Sequence, residues 1–321
     1  MSAWFPTIRV KPRALHEWID VAFVPVIVVA LVFVLALLSP YFLTSRNVTN
    51  ILLQAAILGI VSVGTTFVIV GGDLDLSIGA NVALSGVVGA LAMTSSHSIA
   101  LGILAGLGCG VAIGAINGLI ATRLHVPAFV ATLGMLVIGQ GVALTLTNGA
   151  SIANLPDAFG AFANGRFAGL PGLVWAMFAA FGLGYLGLHH TVFGIRTFAV
   201  GGNREAARLS GIQVDRVRVA NFVLSGLSGG IAGLLLAARV QAAQPTGGEI
   251  FTLYATAAVI LGGTSLYGGR GSMLRTVFGV ALIALLQNGL DLLGVAYSNQ
   301  QVAVGIVFII AASSEFIRRR S

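Results

Sequence analysis

The sequence predicts an all-α fold, a polytopic membrane helix bundle of about ten transmembrane segments (8–10) with both the N- and the C-terminus in the cytoplasm. The first reason is composition: 57% of the residues are hydrophobic, only 8% are charged, and the mean hydropathy is +0.99. Such values are typical of polytopic membrane proteins. The second reason is that apolar runs of roughly twenty residues, the length that crosses a bilayer, recur along the chain. Because no long hydrophilic segment interrupts them, we expect one integral membrane domain over residues 1–321.

Taken in order, ten apolar runs are candidates for these segments. They lie at residues 21–38, 51–70, 81–94, 99–121, 128–147, 170–188, 220–238, 253–261, 274–293 and 302–317. The run at 253–261 is too short to cross a bilayer unaided, so we expect it to be tilted, broken or extended by its flanks. Residues 148–169 are rich in Asn, Gly and Pro, and we expect them to form a polar loop.

The distribution of basic residues predicts the orientation of the bundle. If the N-terminus is cytoplasmic and the ten segments alternate, Arg46, Arg166 and Arg239 are the only three of the 17 lysine and arginine residues that lie outside. This bias follows the positive-inside rule and places both termini in the cytoplasm. The net charge of +7 does not indicate a nucleic-acid partner, because the basic residues are spread over short loops and not gathered on one soluble face.

A charged island interrupts the apolar pattern at residues 193–219. Its seven charged residues are Arg196, Arg204, Glu205, Arg208, Asp215, Arg216 and Arg218. Such a segment cannot lie in hydrocarbon, so it lies in water at a membrane surface. Asn203 can cap a helix that begins at the next residue, and Gly211 can end that helix in the left-handed region. We therefore expect one short surface helix; an ordinary cytoplasmic loop with positive-inside charges is the alternative.

A polar bend, GGDLDLSIG, follows the second apolar run at residues 71–79. Its two acids, Asp73 and Asp75, are expensive in lipid and must face water, protein or a transport path. In one interpretation the bend lies beside the path of a solute; in the other, Asp75 and Ser77 cap the next helix. The candidate path residues are Gly72, Asp73, Asp75, Ser77, Asn81, Thr264 and Ser265. Residues 256–263 weakly repeat the pattern of 65–72, an apolar run that enters a glycine pair.

A stripe of glycines predicts close helix packing in the fourth apolar run. It consists of Gly102, Gly106, Gly110, Gly114 and Gly118, one at every fourth position and hence on one helix face. The single cysteine, Cys109, excludes a disulfide within the chain and a cysteine-based metal cluster. We predict no metal site.

Four motifs carry a resemblance to a known family. Glu205-Ala206-Ala207 with Gly211 (EAAxxxG) resembles the loop by which the membrane subunits of ABC importers dock on their ATPase, and GGNREAARLSGI at 201–212 resembles ribose-type (monosaccharide) import permeases, of the binding-protein-dependent transport system inner membrane component family. The bend at 71–79, VPAFVATLG at 126–134 and LGGTSLYGGRG at 261–271 are similar to further motifs of these permeases. The sequence departs from the family pattern at Asp73, where an apolar residue is usual, and at Gln140, where an arginine is common.

The resemblance implies a permease subunit of an ATP-driven importer in the bacterial inner membrane, with an ATPase-docking loop at 194–215. The docking residues it implies are Gly201, Gly202, Asn203, Arg204, Glu205, Ala206, Ala207, Arg208, Ser210 and Gly211. The implied partners are an ABC ATPase subunit, a second permease copy or a homologue, a periplasmic sugar-binding protein and membrane lipid. The chain would be no enzyme and hold no cofactor, since ATP and Mg²⁺ would bind to the partner ATPase; it has no Walker A motif.

Two other functions are compatible with parts of the sequence. An ATPase-independent secondary transporter of a small polar solute would need ion-coupling acids in the middle of a segment, and Asp291 is the clearest candidate. An intramembrane protease is suggested by GLSG at 226–229, which fits the GxSG of rhomboid proteases. That chemistry needs a histidine base from a later segment, and all five histidines precede Ser228.

Overall fold

The computed structural model describes the backbone of residues 15–320 and the side chains of residues 24–309. This part of the chain forms helices throughout, with one short hairpin. The elements are α1 Leu15–Leu38, α2 Ser45–Val70, α3 Ile78–Ser96, α4 Ile99–Arg123, α5 Ala128–Thr147, α6 Asp157–Asn164, β1 Arg166–Phe167, β2 Leu170–Pro171, α7 Gly172–His189, α8 Val192–Gly202, α9 Arg204–Leu209, α10 Val214–Val240, α11 Glu249–Leu261, α12 Met273–Leu292 and α13 Tyr297–Arg320. The basic N-terminal residues Arg9, Lys11 and Arg13 lie outside the described residues.

Each of the ten predicted segments coincides with a helix, which confirms the all-α fold. Seven of the described helices, α2, α3, α4, α5, α7, α10 and α12, are long and apolar enough to cross a membrane. The predicted short segment is α11, whose 13 residues span only about 20 Å at 1.5 Å per residue. The protein is therefore a multi-pass membrane protein.

The centre of the bundle is built on α2 and α10. Most residues of α2 from Ala55 to Val70 are buried, and α10 packs against α2, α3 and α4. Small residues on α10, among them Ser225, Gly226 and Gly230, allow its neighbours to approach closely. The core is thus formed by helix backbones in near contact as well as by apolar side chains.

The structure places the α4 glycine stripe against α3 and α10. A methyl group on Gly110 would lie 2.5 Å from the Gly226 carbonyl oxygen, and one on Gly118 would lie 2.8 Å from the Cα of Val219. Gly114 likewise faces the backbone of α10, whereas Gly102 and Gly106 face carbonyl groups of α3. A side chain does not fit at Gly110 and Gly114, because the neighbouring atoms there are all backbone. At Gly102 and Gly106 the nearest atoms belong to the side chains of Met93 and Leu234.

Residues 148–169 are more ordered than the predicted polar loop. They contain α6 and the first strand of an antiparallel hairpin in which Arg166 pairs with Pro171. This region folds back on the end of α10: Ile152 pairs with Ala243, and Asn164 Nδ2 donates to the Ala238 carbonyl oxygen at 3.3 Å. As expected, none of the spanning helices lies in this region, but its backbone groups find partners on the bundle and form short elements. We call this end of the bundle the far end, and the opposite end the α9 end.

Candidate functional site at the helix breaks and the charged loop

The short helix predicted in the charged island is α9. Asn203 accepts a hydrogen bond from the Ala206 amide at 3.0 Å, and Gly211 adopts a φ of 81°, as the predicted cap and turn require. The outer face of α9 is open: the side chains of Arg208 and Glu205 are 64% and 72% exposed, and Leu209 is 81% exposed. The face that α9 turns away from the bundle thus carries one large apolar side chain beside two charged ones.

The charged loop contains a second helix that the sequence analysis missed. Helix α8 begins after Thr191, whose hydroxyl accepts from the Gly194 amide at 3.1 Å, and it ends at Gly202. The predicted short helix is present as α9, and α8 precedes it. The sequence contained a signal for α8, because Thr191 is of a residue type that is preferred at helix N-caps.

Three backbone segments meet where α8 ends. The Gly269 amide donates to the Val70 carbonyl oxygen at 2.9 Å, and a methyl group on Gly268 would lie 2.6 Å from the Cα of Gly72. A methyl group on Gly201 would overlap that same carbonyl group of Val70. We call Gly72, Gly201, Gly202, Gly268 and Gly269 the glycine junction. It joins the end of α8, two residues before α9 begins, to the turns that follow α2 and α11.

Asp73 lies beside this junction, at the α9 end. Arg218 of α10 donates from Nε to Oδ2 at 2.8 Å and from Nη2 to Oδ1 at 2.9 Å, and Arg204 of α9 donates from Nη2 to Oδ1 at 2.8 Å. The same Nη2 donates to the Gly72 carbonyl oxygen at 2.7 Å. One buried carboxylate is thus shared by two guanidinium groups from two different helices.

Asp75 lies deeper in the bundle than Asp73. Asp75 is 3% exposed, and its carboxylate accepts hydrogen bonds from the Ser225 hydroxyl at 2.7 Å and from the Ser77 hydroxyl at 2.6 Å. Ser225 follows Arg218 by seven residues along α10, which corresponds to about 10 Å. Among the described residues no lysine or arginine pairs with Asp75.

The start of α3 tests the interpretation in which Asp75 and Ser77 cap this helix. Asp75 accepts from the Ser77 amide at 3.0 Å, but the Ser77 hydroxyl donates to Asp75 and accepts from Asn117, so it makes no cap bond. The acceptor for the Gly79 amide is instead the Thr252 hydroxyl of α11, at 3.0 Å. Ser77 therefore occupies the N-cap position of α3 without a side-chain cap bond, and α3 and α11 meet near their N-terminal ends.

The other candidate path residues fall into two groups. Asn81 is 1% exposed and donates to the Gly226 carbonyl oxygen at 3.1 Å, so it bridges α3 and α10 beside Asp75. Thr264 and Ser265 follow α11 at the α9 end; the Thr264 hydroxyl is buried without a hydrogen-bond partner among the described residues. The Ser265 amide donates to the Arg270 carbonyl oxygen at 3.0 Å and closes a turn. The seven residues lie at or beside two helix breaks and not on one surface. The first break is the segment between α2 and α3, and the second is the turn that follows α11.

The far end carries polar residues that the sequence analysis did not assign. A cavity there is lined by Ser45, Arg46, Thr49, Asn50, Leu53, Asn164, Arg166, Gly169 and Pro171. Arg46 and Arg166 are two of the three basic residues predicted outside, and the third, Arg239, donates to the Leu53 carbonyl oxygen at 2.9 Å. Arg46 and Arg166 thus line one cavity, and Arg239 contacts the backbone of Leu53, which also lines it.

Asp291 and Ser228, on which the two alternative functions depend, do not have the surroundings that those functions need. Asp291 is exposed at the end of α12, where it accepts from Gln300 Nε2 at 2.7 Å, so it is no mid-segment acid. The Ser228 hydroxyl donates to the Ser225 carbonyl oxygen at 2.8 Å, and no hydrogen bond joins it to a histidine among the described residues. Both observations agree with the sequence-based preference against a secondary transporter and a protease.

Comparisons with known proteins identify the family. A family model described as "Branched-chain amino acid transport system / permease component" matches residues 47–312. The ribose import permease RbsC of Bacillus subtilis is 44% identical over 283 residues, which cover 88% of both chains, and that of Escherichia coli K12 is 40% identical over 285 residues, 88% of this chain and 89% of the other. The L-arabinose permease AraH of Azospirillum brasilense is 35% identical over 286 residues, 89% of this chain and 84% of its own.

No solved structure matches the chain. The resemblance to ribose-type import permeases is confirmed by the identities and by their coverage. The chain therefore belongs to the family of branched-chain amino acid transport system / permease components.

Proposed function

We propose that this chain is the transmembrane permease subunit of an ATP-driven ABC importer and forms the translocation path for a monosaccharide of the ribose type. The observation that carries this proposal is the 44% identity, over 88% of both chains, to a ribose import permease. An arabinose permease is also similar at 35% identity, which supports a simple sugar as the substrate class.

The α9 end faces the cytoplasm in this proposal, and the loop at 194–215 binds the ATPase. The open face of α9, with Glu205, Arg208 and Leu209, offers both charge and an apolar anchor for that contact. The positive-inside bias supports the same orientation. ATP and Mg²⁺ bind to the ATPase subunit, and this chain itself takes no cofactor.

The far end faces the periplasm and receives the sugar-binding protein. The cavity that contains Arg46 and Arg166 supports this assignment, because paired basic side chains attract an acidic surface. A second permease copy or a homologue completes the path, and the chain acts as one integral domain over residues 1–321 in a bacterial inner membrane. Transport follows from movement of α9 together with the end of α8, which the glycine junction connects to the turns after α2 and α11.

Reconstituted transport tests the proposal. The chain is incorporated into liposomes with its ATPase, the binding protein is added at the far-end face, and uptake of radiolabelled ribose is measured. Uptake is expected to need ATP and the binding protein. Unlabelled arabinose is expected to inhibit ribose uptake more strongly than unlabelled leucine does. ATP-independent uptake, or preference for leucine, would contradict the proposal; leucine is the decisive comparison because the family model includes amino acid permeases.

A further inference from the structure

Two arginines bind one buried carboxylate, and one of them is sufficient to neutralise it. Arg218 alone contacts both oxygens of Asp73, the bidentate geometry in which guanidinium and carboxylate pair best. The side chains of Asp73 and Arg218 are 7% and 10% exposed, whereas that of Arg204 is 43% exposed. The buried pair is therefore complete without Arg204, and the third partner needs another explanation.

Arg204 fixes the first turn of α9 to the turn that follows α2. Its Nη2 donates to both Asp73 Oδ1 and the Gly72 carbonyl oxygen, at 2.8 and 2.7 Å. Asn203, the residue before it, caps α9 through the Ala206 amide. The N-terminus of α9 is thus attached to the helix break by charged and backbone contacts, while Glu205 and Leu209 point away from the bundle and stay exposed.

The segment that Arg204 holds leads directly to the start of α3. Asp75, two residues after Asp73, accepts from the Ser77 amide and hydroxyl and so fixes the beginning of α3. Only Leu74 separates Asp73 from Asp75, so two residues of chain, at most about 7 Å, connect the Arg204 contact to the start of α3. Arg218 lies on α10, so it holds Asp73 to the helix relative to which the segment between α2 and α3 would move.

We infer that Asp73 and Arg204 are positioning residues that transmit the displacement of α9 to the break between α2 and α3, with Arg218 as their fixed partner. This inference rests on the proposed function, because it assumes that an ATPase moves α9. The pair acts through the helices that it joins.

Arg204→Gln is the decisive variant, because it removes the link and leaves the buried Asp73–Arg218 pair intact. The resemblance counts Arg204 among the docking residues, but its guanidinium is bound to Asp73 and to the Gly72 carbonyl oxygen. We therefore expect the ATPase to co-purify at unchanged stoichiometry, while ribose transported per ATP hydrolysed falls about ten-fold, within the range of ordinary coupling between sites. Arg204→Lys, which keeps one positive donor, is expected to recover most of this ratio. A purely structural role would lower the amount of protein without changing the ratio.

Asp73→Asn tests the other side of the same contact. It is expected to lower the ratio as Arg204→Gln does, and the double variant is expected to be no worse than the poorer single variant. Asp73→Asn leaves Arg218 buried without a full countercharge and can reduce folding, so the ratio is compared only in assembled complexes. Asp157→Asn, an exposed acid at the far end that is in no ion pair among the described residues, is the matched control.

The outcomes separate this inference from the proposed function. A wild-type ratio in Arg204→Gln, or additive losses in the double variant, would overturn the inference and leave the importer proposal standing. Loss of the ATPase from Arg204→Gln would also overturn it, because Arg204 would then be a contact residue of the ATPase. Wild-type protein that takes up no ribose with ATP would contradict the proposed function itself.

Discussion

The breaks after α2 and α11 have the same turn and different surroundings. Each helix ends in a glycine pair, and the second glycine has a φ of 77° at Gly72 and 81° at Gly263. The hydrogen bonds repeat as well: the Asp73 amide donates to the Val68 carbonyl oxygen at 3.1 Å, and the Thr264 amide to that of Val259 at 3.2 Å. The weak repeat in the sequence therefore corresponds to a real repeat of local geometry.

The two segments that follow these turns take different courses. The first returns into the bundle, where the Asp75 carboxylate accepts from two serine hydroxyls and a backbone amide. The second stays at the α9 end and forms a further turn at Gly268 and Gly269, and the Thr264 hydroxyl finds no partner among the described residues. The glycine pair sets the turn, but the polar groups after it decide whether a broken helix can resume inside the membrane, where each of them must be satisfied.

The largest expected effect is an all-or-none pattern of labelling. In a Cys109→Ser background, cysteines at Leu209 and Tyr267 are expected to react with an impermeant thiol reagent from the same side, and a cysteine at Phe167 only from the other. The native side chains are 81%, 54% and 62% exposed. Labelling of Leu209→Cys and Tyr267→Cys from opposite sides would show that the two breaks do not share one membrane face.

The glycine junction provides the next largest effect. Gly201→Ala is expected to destabilise the protein by about 3 kcal/mol, because the new methyl group overlaps the Val70 carbonyl group and no flexible side chain can yield. Thermal denaturation in detergent, followed by size-exclusion chromatography, measures the loss.

Gly202→Ala is the matched control for that substitution. A methyl group there would meet nothing closer than the Gly269 Cα, at 3.9 Å, so it should be tolerated. Equal stability of the two variants would mean that the turns do not meet at α8 as described.

The polar residues after the turns are expected to respond in opposite ways. Asp75→Ala removes the acceptor for Ser77 and Ser225 and should cost about 2 kcal/mol of stability. Thr264→Val removes a hydroxyl that has no partner among the described residues and keeps the shape of the side chain, so stability should be unchanged or higher. If Asp75→Ala assembles with full stability and only transport falls, Asp75 acts in the solute path instead.

Local features were predictable from the sequence, and long-range partners were not. The cap at Asn203 and the turn at Gly211 lie within nine residues and follow known helix signals. The contact between Asp73 and Arg218 joins residues 145 apart, and the bond from Gly79 to Thr252 joins residues 173 apart. A single sequence marks such residues as polar groups in an apolar context, but it does not indicate which of them meet.

The smallest expected effect tests whether the two turns are equivalent. Gly72→Ala and Gly263→Ala each force a Cβ into the left-handed region, at a cost of about 1 kcal/mol. Neither methyl group would clash, since the nearest atoms lie 3.4 Å away at Gly72 and 3.6 Å away at Gly263. Backbone strain alone should therefore set both costs, and the two variants should lose the same stability in thermal denaturation. A much larger loss at Gly72 would mean that the glycine junction, and not the shared turn, dominates the energetics of the first break.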